Sequence, residues 1–151
     1  MVSWKGQLDK SGGLATNIGI HFFDLLMWLF GKVEHTEVHI SNSTRVAGKL
    51  ELTSARVKWF LSIDKDDLPP EAVKEGQRTY RSISVDGDEI EFSGGFTDLH
   101  TLIYKDVLEG RGFGLDEARP SIELAHQLRV TKPIGITPDS HSIIDKIKSQ
   151  L

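Results

Sequence analysis

The chain has 151 residues, 38% hydrophobic and 26% charged, the composition of an ordinary globular domain rather than a disordered or collagenous chain. With 18 Lys and Arg against 22 Asp and Glu, the net charge is −4, and no positive excess is available to displace counterions from a nucleic-acid backbone. The sequence has no cysteine, which excludes disulfides, thiolate nucleophiles, iron–sulfur clusters and cysteine-based zinc sites, and fits a reducing compartment.

The opening, up to Lys10, is polar apart from Val2, Trp4 and Leu8, and reads as the end of a strand running into a loop. It shows no leader and no N-terminal strand–helix unit, so the expectation is a fragment of a longer protein. Ser11, Gly12 and Gly13 form a turn able to open a helix, with Ser11 as its cap. A helix is predicted from Leu14 to Phe30, closed by Gly31. This is the most apolar stretch, yet it carries Asn17, His21 and Asp24 and falls short of the roughly 20 apolar residues a bilayer span needs. The reading is a soluble, cytoplasmic chain with no membrane and no nucleic-acid partner.

From Val33 to Phe92 the period changes to that of strands. Ala55, Val57, Trp59, Leu61 and Ile63 alternate with Ser54, Arg56, Lys58, Phe60 and Ser62. Weaker strands are predicted at Glu37–Ser41, Val46–Leu52 and Thr79–Val85, and Asp86-Gly87 offers a hairpin turn into Glu89–Phe92. Leu68 to Gly76 reads as a short helical excursion started by Pro69 and Pro70. Two helices follow: Thr97–Glu109, with Leu99, Leu102, Ile103 and Val107 inward, and Asp116–Arg129, with Ala118, Ile122, Ala125 and Leu128 on one stripe. A tail containing Pro133 and Pro138 leads to a last amphipathic turn or two at Ser140–Lys148. This order predicts an α+β domain: a mainly antiparallel, open-faced sheet with helices packed on one face.

One feature of the first helix has chemical character. At about 100° per residue, Ile18, Phe22, Leu25 and Leu29 form one apolar face and Thr16, Ile20, Phe23 and Met27 a second flank. Between them, Asn17, His21 and Asp24 stack at spacings of four and three. A helix apolar on nearly all sides is normally buried, so the stripe is expected to be buried or to face a cleft. Two readings are open. The three side chains satisfy one another or a loop, since a buried polar group without a partner costs roughly 1–3 kcal/mol. Alternatively His21 is an acid–base or substrate-orienting group, because imidazole titrates near neutrality. Gly19 favours the second: glycine inside a helix costs about 1 kcal/mol against alanine, so something approaches the backbone there. No metal is expected, since no H-E-x-x-H pattern or second histidine at helical spacing accompanies His21 and Asp24.

Gly110, Gly112 and Gly114 fail the dinucleotide spacing and read as a helix–helix connection. His100 reads as structural beside Thr97 or Asp98 as a helix cap, and His35 and His39 as solvated on a strand face. His126 and His141 carry no signal, and no Gly-x-Ser-x-Gly or Ser/His/Asp arrangement is present.

Several segments together resemble the second domain of the glucose–fructose oxidoreductase/inositol dehydrogenase family. They are Trp4-Lys5-Gly6, Lys10-Ser11-Gly12-Gly13 and the run from Ala15 through Gly19 and His21 to Asp24. The likeness continues through the Trp59 strand, Asp86-Gly87, Glu89 to Phe92, and Gly95 to His100. It covers residues 2 to 133, with 1–133 taken as a substrate-binding and oligomerisation domain and 134–151 as a tail with a short helix. Within the family, Ser3 to Gly6, Asn17 and Phe96 to His100 most resemble the branch oxidising the 3-hydroxyl of a UDP-linked N-acetylglucosaminuronic acid for lipopolysaccharide and O-antigen sugars.

The resemblance implies hydride transfer from a sugar hydroxyl to NAD. It makes His21 the histidine that helps a lysine manage the hydroxyl proton, and Asn17 the group that orients substrate or that lysine. Lys5 and Lys10 become partners for substrate carboxylate or phosphate, and Ser11 and Asp24 join them as substrate-binding candidates. The family's dinucleotide-binding domain and its catalytic lysine have no counterpart here, so NAD is expected to be bound mainly by that absent half and this chain alone to be inactive. The resemblance also implies a homodimer or homotetramer through the open sheet face, the one carrying Phe60. The alternatives are another sugar or cyclitol dehydrogenase of the family, or an oligomerisation module without activity.

Overall fold

The computed structural model describes residues 8–94 and 98–150. They fall into two units: the chain up to Asp64 together with everything from Leu115 onward, and Lys65–Gly114. Among the described residues no helix is long and apolar enough to cross a membrane.

The first unit opens with a short helix α1 (Leu8–Ser11), followed by the Gly12-Gly13 turn, where φ is 74° and 82°. Both values lie in the region that only glycine adopts without strain. Ser11 serves this turn rather than the helix beyond it: its Oγ accepts from the Gly13 N–H at 3.2 Å, while Thr16 Oγ1 donates back to the Gly12 carbonyl at 3.1 Å. The expected long helix is then continuous but not uniform. Ala15–Gly19 is a π-turn, and α2 (Ile20–Phe30) continues from it. Gly31 ends α2 as expected, with φ 88° and its N–H donating to the Met27 carbonyl at 3.0 Å. The freed Phe30 carbonyl accepts from both the N–H and the hydroxyl of Ser54.

Three antiparallel strands follow in the order β1 (Val33–Ser41), β2 (Arg45–Leu52) and β3 (Arg56–Ser62). The β1–β2 turn is built on Asn42, whose Oδ1 accepts from the Thr44 and Arg45 N–H groups at 2.9 and 2.8 Å. One sheet face carries Val46, Leu50, Leu52, Trp59 and Leu61, which pack with Leu14, Ala15, Phe23 and Leu26 from the helical segment. Helix α5 (Leu115–Val130) packs against α2 and the π-turn and adds Leu124 and Leu128 to this core. Its inward stripe is Ser121, Leu124, Ala125 and Leu128; Ile122, expected inward, is exposed. The shift places Ser121 inside at little cost, because its hydroxyl donates to the Ala118 carbonyl at 2.9 Å.

The opposite sheet face, expected to be open, is partly covered by the C-terminal segment. The Ile134 N–H donates to the Val38 carbonyl, the His141 ring lies beside Phe60, and Asp139 reaches Lys49 and Lys58. Helix α6 (Ile143–Ile147) buries Ile144 and Ile147. His39 is also inside, at 1% exposure, where a solvated strand position was expected. The cause is a bulge between Val38 and Ile40, which inserts an extra residue into β1 and re-aims its side chain.

The second unit holds a 3₁₀ turn at Lys65–Asp67, a short α3 (Pro70–Lys74) started by Pro70, and the hairpin β4 (Ser82–Val85) and β5 (Asp88–Glu91). Asp86 and Gly87 turn this hairpin with φ 53° and 98°, the signs a type I′ turn requires. Helix α4 (Leu99–Leu108) does not turn its apolar residues inward: Leu99, Leu102, Ile103 and Val107 are 43% to 58% exposed. The reason is supply, since among the described residues of this unit Ala72 is the buried apolar side chain, and no core exists for α4 to cover.

Candidate functional site

The polar stripe sits on a side of the helical segment that no described element of its own unit covers. Ala15, Gly19, Phe23 and Leu26 face the sheet and α5, and all four are buried. On the far side Asn17 is half-buried, and His21 and Asp24 are exposed. Trp28, 81% exposed, extends the same row by one turn. The expectation of a helix packed on nearly all sides is therefore corrected. The sheet and α5 pack the segment from one side, and the flank around Leu29 is also open.

The internal clasp is not formed. Among the described residues, the structure gives no hydrogen bond or ion pair to the side chains of Asn17, His21 or Asp24. A carboxamide, an imidazole and a carboxylate thus stand in one row, on a half-buried residue and two exposed ones. Trp28 adds a flat apolar surface with an N–H edge. Such a row can hydrogen-bond several hydroxyls of one small molecule, and the imidazole can exchange a proton with one of them. Trp28 was missed at the level of sequence, although the spacing 17, 21, 24, 28 carries it.

The other candidates are placed less favourably. Lys10 is exposed at the end of α1, and half-buried Ser11 is engaged with the Gly13 N–H in the turn that precedes the π-turn. Lys5 lies outside the described residues. Gly110, Gly112 and Gly114 connect α4 to α5, so this is a helix-to-helix joint and not the strand–turn–helix that cradles a dinucleotide. A shallow pocket of about 440 Å³, lined by Glu34, Glu51 to Arg56, includes no residue of the stripe.

A second polar cluster lies on the sheet face opposite the core. Glu37 accepts from His39 and His35, at 3.3 and 3.2 Å, with Lys49 at 3.7 Å. These partners, His39 foremost, hold its carboxyl below the usual carboxylate range. Asp139 is likewise held low, by Lys49 and then Lys58. Burial, followed by the charge of Lys58, pushes the His141 imidazole below its ordinary value. The ion pairs of Asp139 with Lys49 and Lys58 make this cluster a fastening for the C-terminal segment, while His39 Nδ1 is buried without a hydrogen-bond partner among the described residues.

Residues 1–67 match the oxidoreductase family, C-terminal alpha/beta domain. Among solved structures, the WlbA (WbpB) dehydrogenase from Thermus thermophilus is similar in two complexes. In the complex with NAD and alpha-ketoglutarate the TM-score is 0.85, at 57% identity over 92% of this chain and 45% of that one. In the complex with NAD and UDP-GlcNAcA the TM-score is again 0.85, at 56% identity over the same 92% and 45%. This chain therefore spans less than half the length of the solved relatives it matches.

Proposed function

Because the chain belongs to this oxidoreductase family as its C-terminal alpha/beta domain, we propose that it forms the sugar-binding side of an NAD-dependent dehydrogenase acting on the 3-hydroxyl of a UDP-linked N-acetylglucosaminuronic acid. The observation that carries the proposal is the unpartnered stripe: among the described residues nothing hydrogen-bonds the side chains of Asn17, His21 and Asp24, while the opposite face of the same segment is buried in the core. The relative's complex with NAD and UDP-GlcNAcA supports the choice of substrate.

In this reading NAD supplies the hydride acceptor. The described residues do not fit it, because their strands pair antiparallel and the glycine-rich joint at Gly110 to Gly114 links two helices. Its binding is assigned to the other part of such an enzyme, and the chain's own contribution is on the sugar side. His21 takes up or returns the proton of the reacting hydroxyl, directly or through a neighbouring base, a role worth roughly 10²–10⁴ in rate. Asn17 fixes the sugar with one donor and one acceptor, which costs the protein no charge. Asp24 accepts from a further hydroxyl. Lys10, with Ser11 beside it and Lys5 in the segment before it, meets the carboxylate or diphosphate as a point charge. With that substrate the enzyme serves lipopolysaccharide and O-antigen sugar synthesis in the cytoplasm, as a homodimer or homotetramer using what the C-terminal segment leaves bare of the sheet face.

The test is turnover of the UDP-sugar by the intact enzyme carrying His21→Ala, beside Asn17→Ala. The proposal expects a fall in kcat of at least a hundredfold for the histidine variant. A different family sugar or a cyclitol turned over faster than any UDP-uronic acid would replace the substrate while keeping the roles of the residues.

A further inference from the structure

The π-turn at Ala15–Gly19 has a consequence for how Asn17 and His21 are presented. In an α-helix, residues four apart are offset around the axis, so Asn17 and His21 would point in somewhat different directions. A π-turn closes i→i+5 bonds, so each of its residues advances less around the axis. Asn17, in the middle of this turn, is thereby brought round toward the direction of His21, in the first turn of α2.

What sustains the π-turn is space at Gly19. Its φ and ψ, −64° and −34°, are ordinary helical values, so the glycine is not there for conformational freedom. A Cβ at this position would instead lie 2.6 Å from Phe23 Cε2 and 2.8 Å from Leu61 Cδ1. The Leu61 methyl can swing away. The Phe23 ring cannot, because it is fully buried and braced edge-on by Trp59. The backbone of the π-turn is seated directly on β3 and on the next turn of its own helix, at the residue midway between Asn17 and His21.

We infer that Gly19 is a positioning residue for the reaction: by letting the π-turn seat against Phe23 and Leu61, it holds Asn17 in line with His21. This rests on the roles proposed above for those two side chains. Any side chain at position 19 pushes the π-turn off the sheet and rotates Asn17 away from its partner, while the exposed surface that meets the substrate's charged groups is left unchanged.

The experiment compares Gly19→Ala, His21→Ala and the double variant in the intact enzyme, reading kcat, KM for the UDP-sugar and the thermal midpoint. Gly19→Ala is expected to lower kcat at least tenfold with KM within threefold of the parent. In the His21→Ala background the same change is expected to cost less than twofold more, because nothing remains to be aligned. A merely structural glycine would lower the thermal midpoint and act equally in both backgrounds. A folded Gly19→Ala enzyme with kcat within twofold of the parent, or a further tenfold loss on top of His21→Ala, overturns the inference. Should Gly19→Ala fail to fold, Gly19→Ala with Phe23→Leu, which withdraws the ring, is read against Phe23→Leu alone: kcat within threefold is expected, because the alanine then finds room, and a tenfold loss overturns the inference. His21→Ala with parental turnover defeats the functional reading itself, whereas an impaired His21→Ala beside an unimpaired Gly19→Ala defeats only the role of the glycine.

Discussion

The Phe23 ring meets the Trp59 indole edge to face, with centroids 5.2 Å apart and planes at 76°. This contact joins the helix that carries the polar stripe to the strand beneath it, and both side chains belong to the core. Edge-to-face pairs add about 0.5–1.5 kcal/mol beyond burial, and truncating a buried phenylalanine costs about 3–5 kcal/mol. Phe23→Ala is therefore expected to lose stability in that range by chemical denaturation of the intact protein. A loss below about 1 kcal/mol would mean that the helix is held from elsewhere.

Acid should loosen the C-terminal segment before it unfolds the core. The His141 imidazole is depressed below its ordinary 6.5, so the fold favours its neutral form. Its contribution is present above pH 6.5 and is lost as pH falls from there through the folded value. Asp139 acts in the same direction in a lower window, beginning at 3.8, because Lys49 and Lys58 favour its charged form. Amide protection factors at Ile144 and Ile147, corrected for the intrinsic exchange rate at each pH, are expected to fall in two steps on acidification, the upper one abolished by His141→Phe. Protection factors that are flat from pH 7 to 5 would remove His141 from this fastening.

The parts legible in the sequence were those fixed by neighbours in the chain. Alternation around Trp59, the Asp86-Gly87 hairpin and the Gly31 stop are local, and each stands where periodicity and turn chemistry put it. The stripe was legible as a pattern, but its exposure was not. A helical projection counts apolar residues on both flanks, whereas the sheet and α5 pack the helix from one side. The π-turn left a single trace, Gly19, because the Leu61 methyl that crowds it lies on a distant strand. The inward aim of His39 depends on a bulge in β1, and the bare face of α4 on how little core its unit contains. Neither is a property of the local sequence.

The assignment of the cofactor to the other half of the enzyme has its own test. NAD titrated into the 151-residue chain by calorimetry is expected to give no binding heat, because its described glycine-rich joint, Gly110 to Gly114, links two helices. A clear micromolar isotherm would place a dinucleotide site within these residues.

Charge at the approach to the stripe should affect binding and leave chemistry alone. Lys10→Ala in the intact enzyme is expected to raise KM for the UDP-sugar three- to thirtyfold with kcat within twofold, the signature of an interaction made equally in ground and transition states. The KM increase should shrink at high ionic strength, because an exposed ammonium is screened. A fall in kcat at unchanged KM would give Lys10 a different role.

The most direct measurement is kcat for the UDP-linked uronic acid in His21→Ala against the parent, at saturating sugar and NAD and with the folded fraction matched. A decrease of at least a hundredfold is expected if the open stripe on the first helix handles the reacting hydroxyl. Turnover within twofold of the parent would contradict it and leave Asn17, His21 and Asp24 as solvent-facing residues of a domain whose chemistry lies elsewhere.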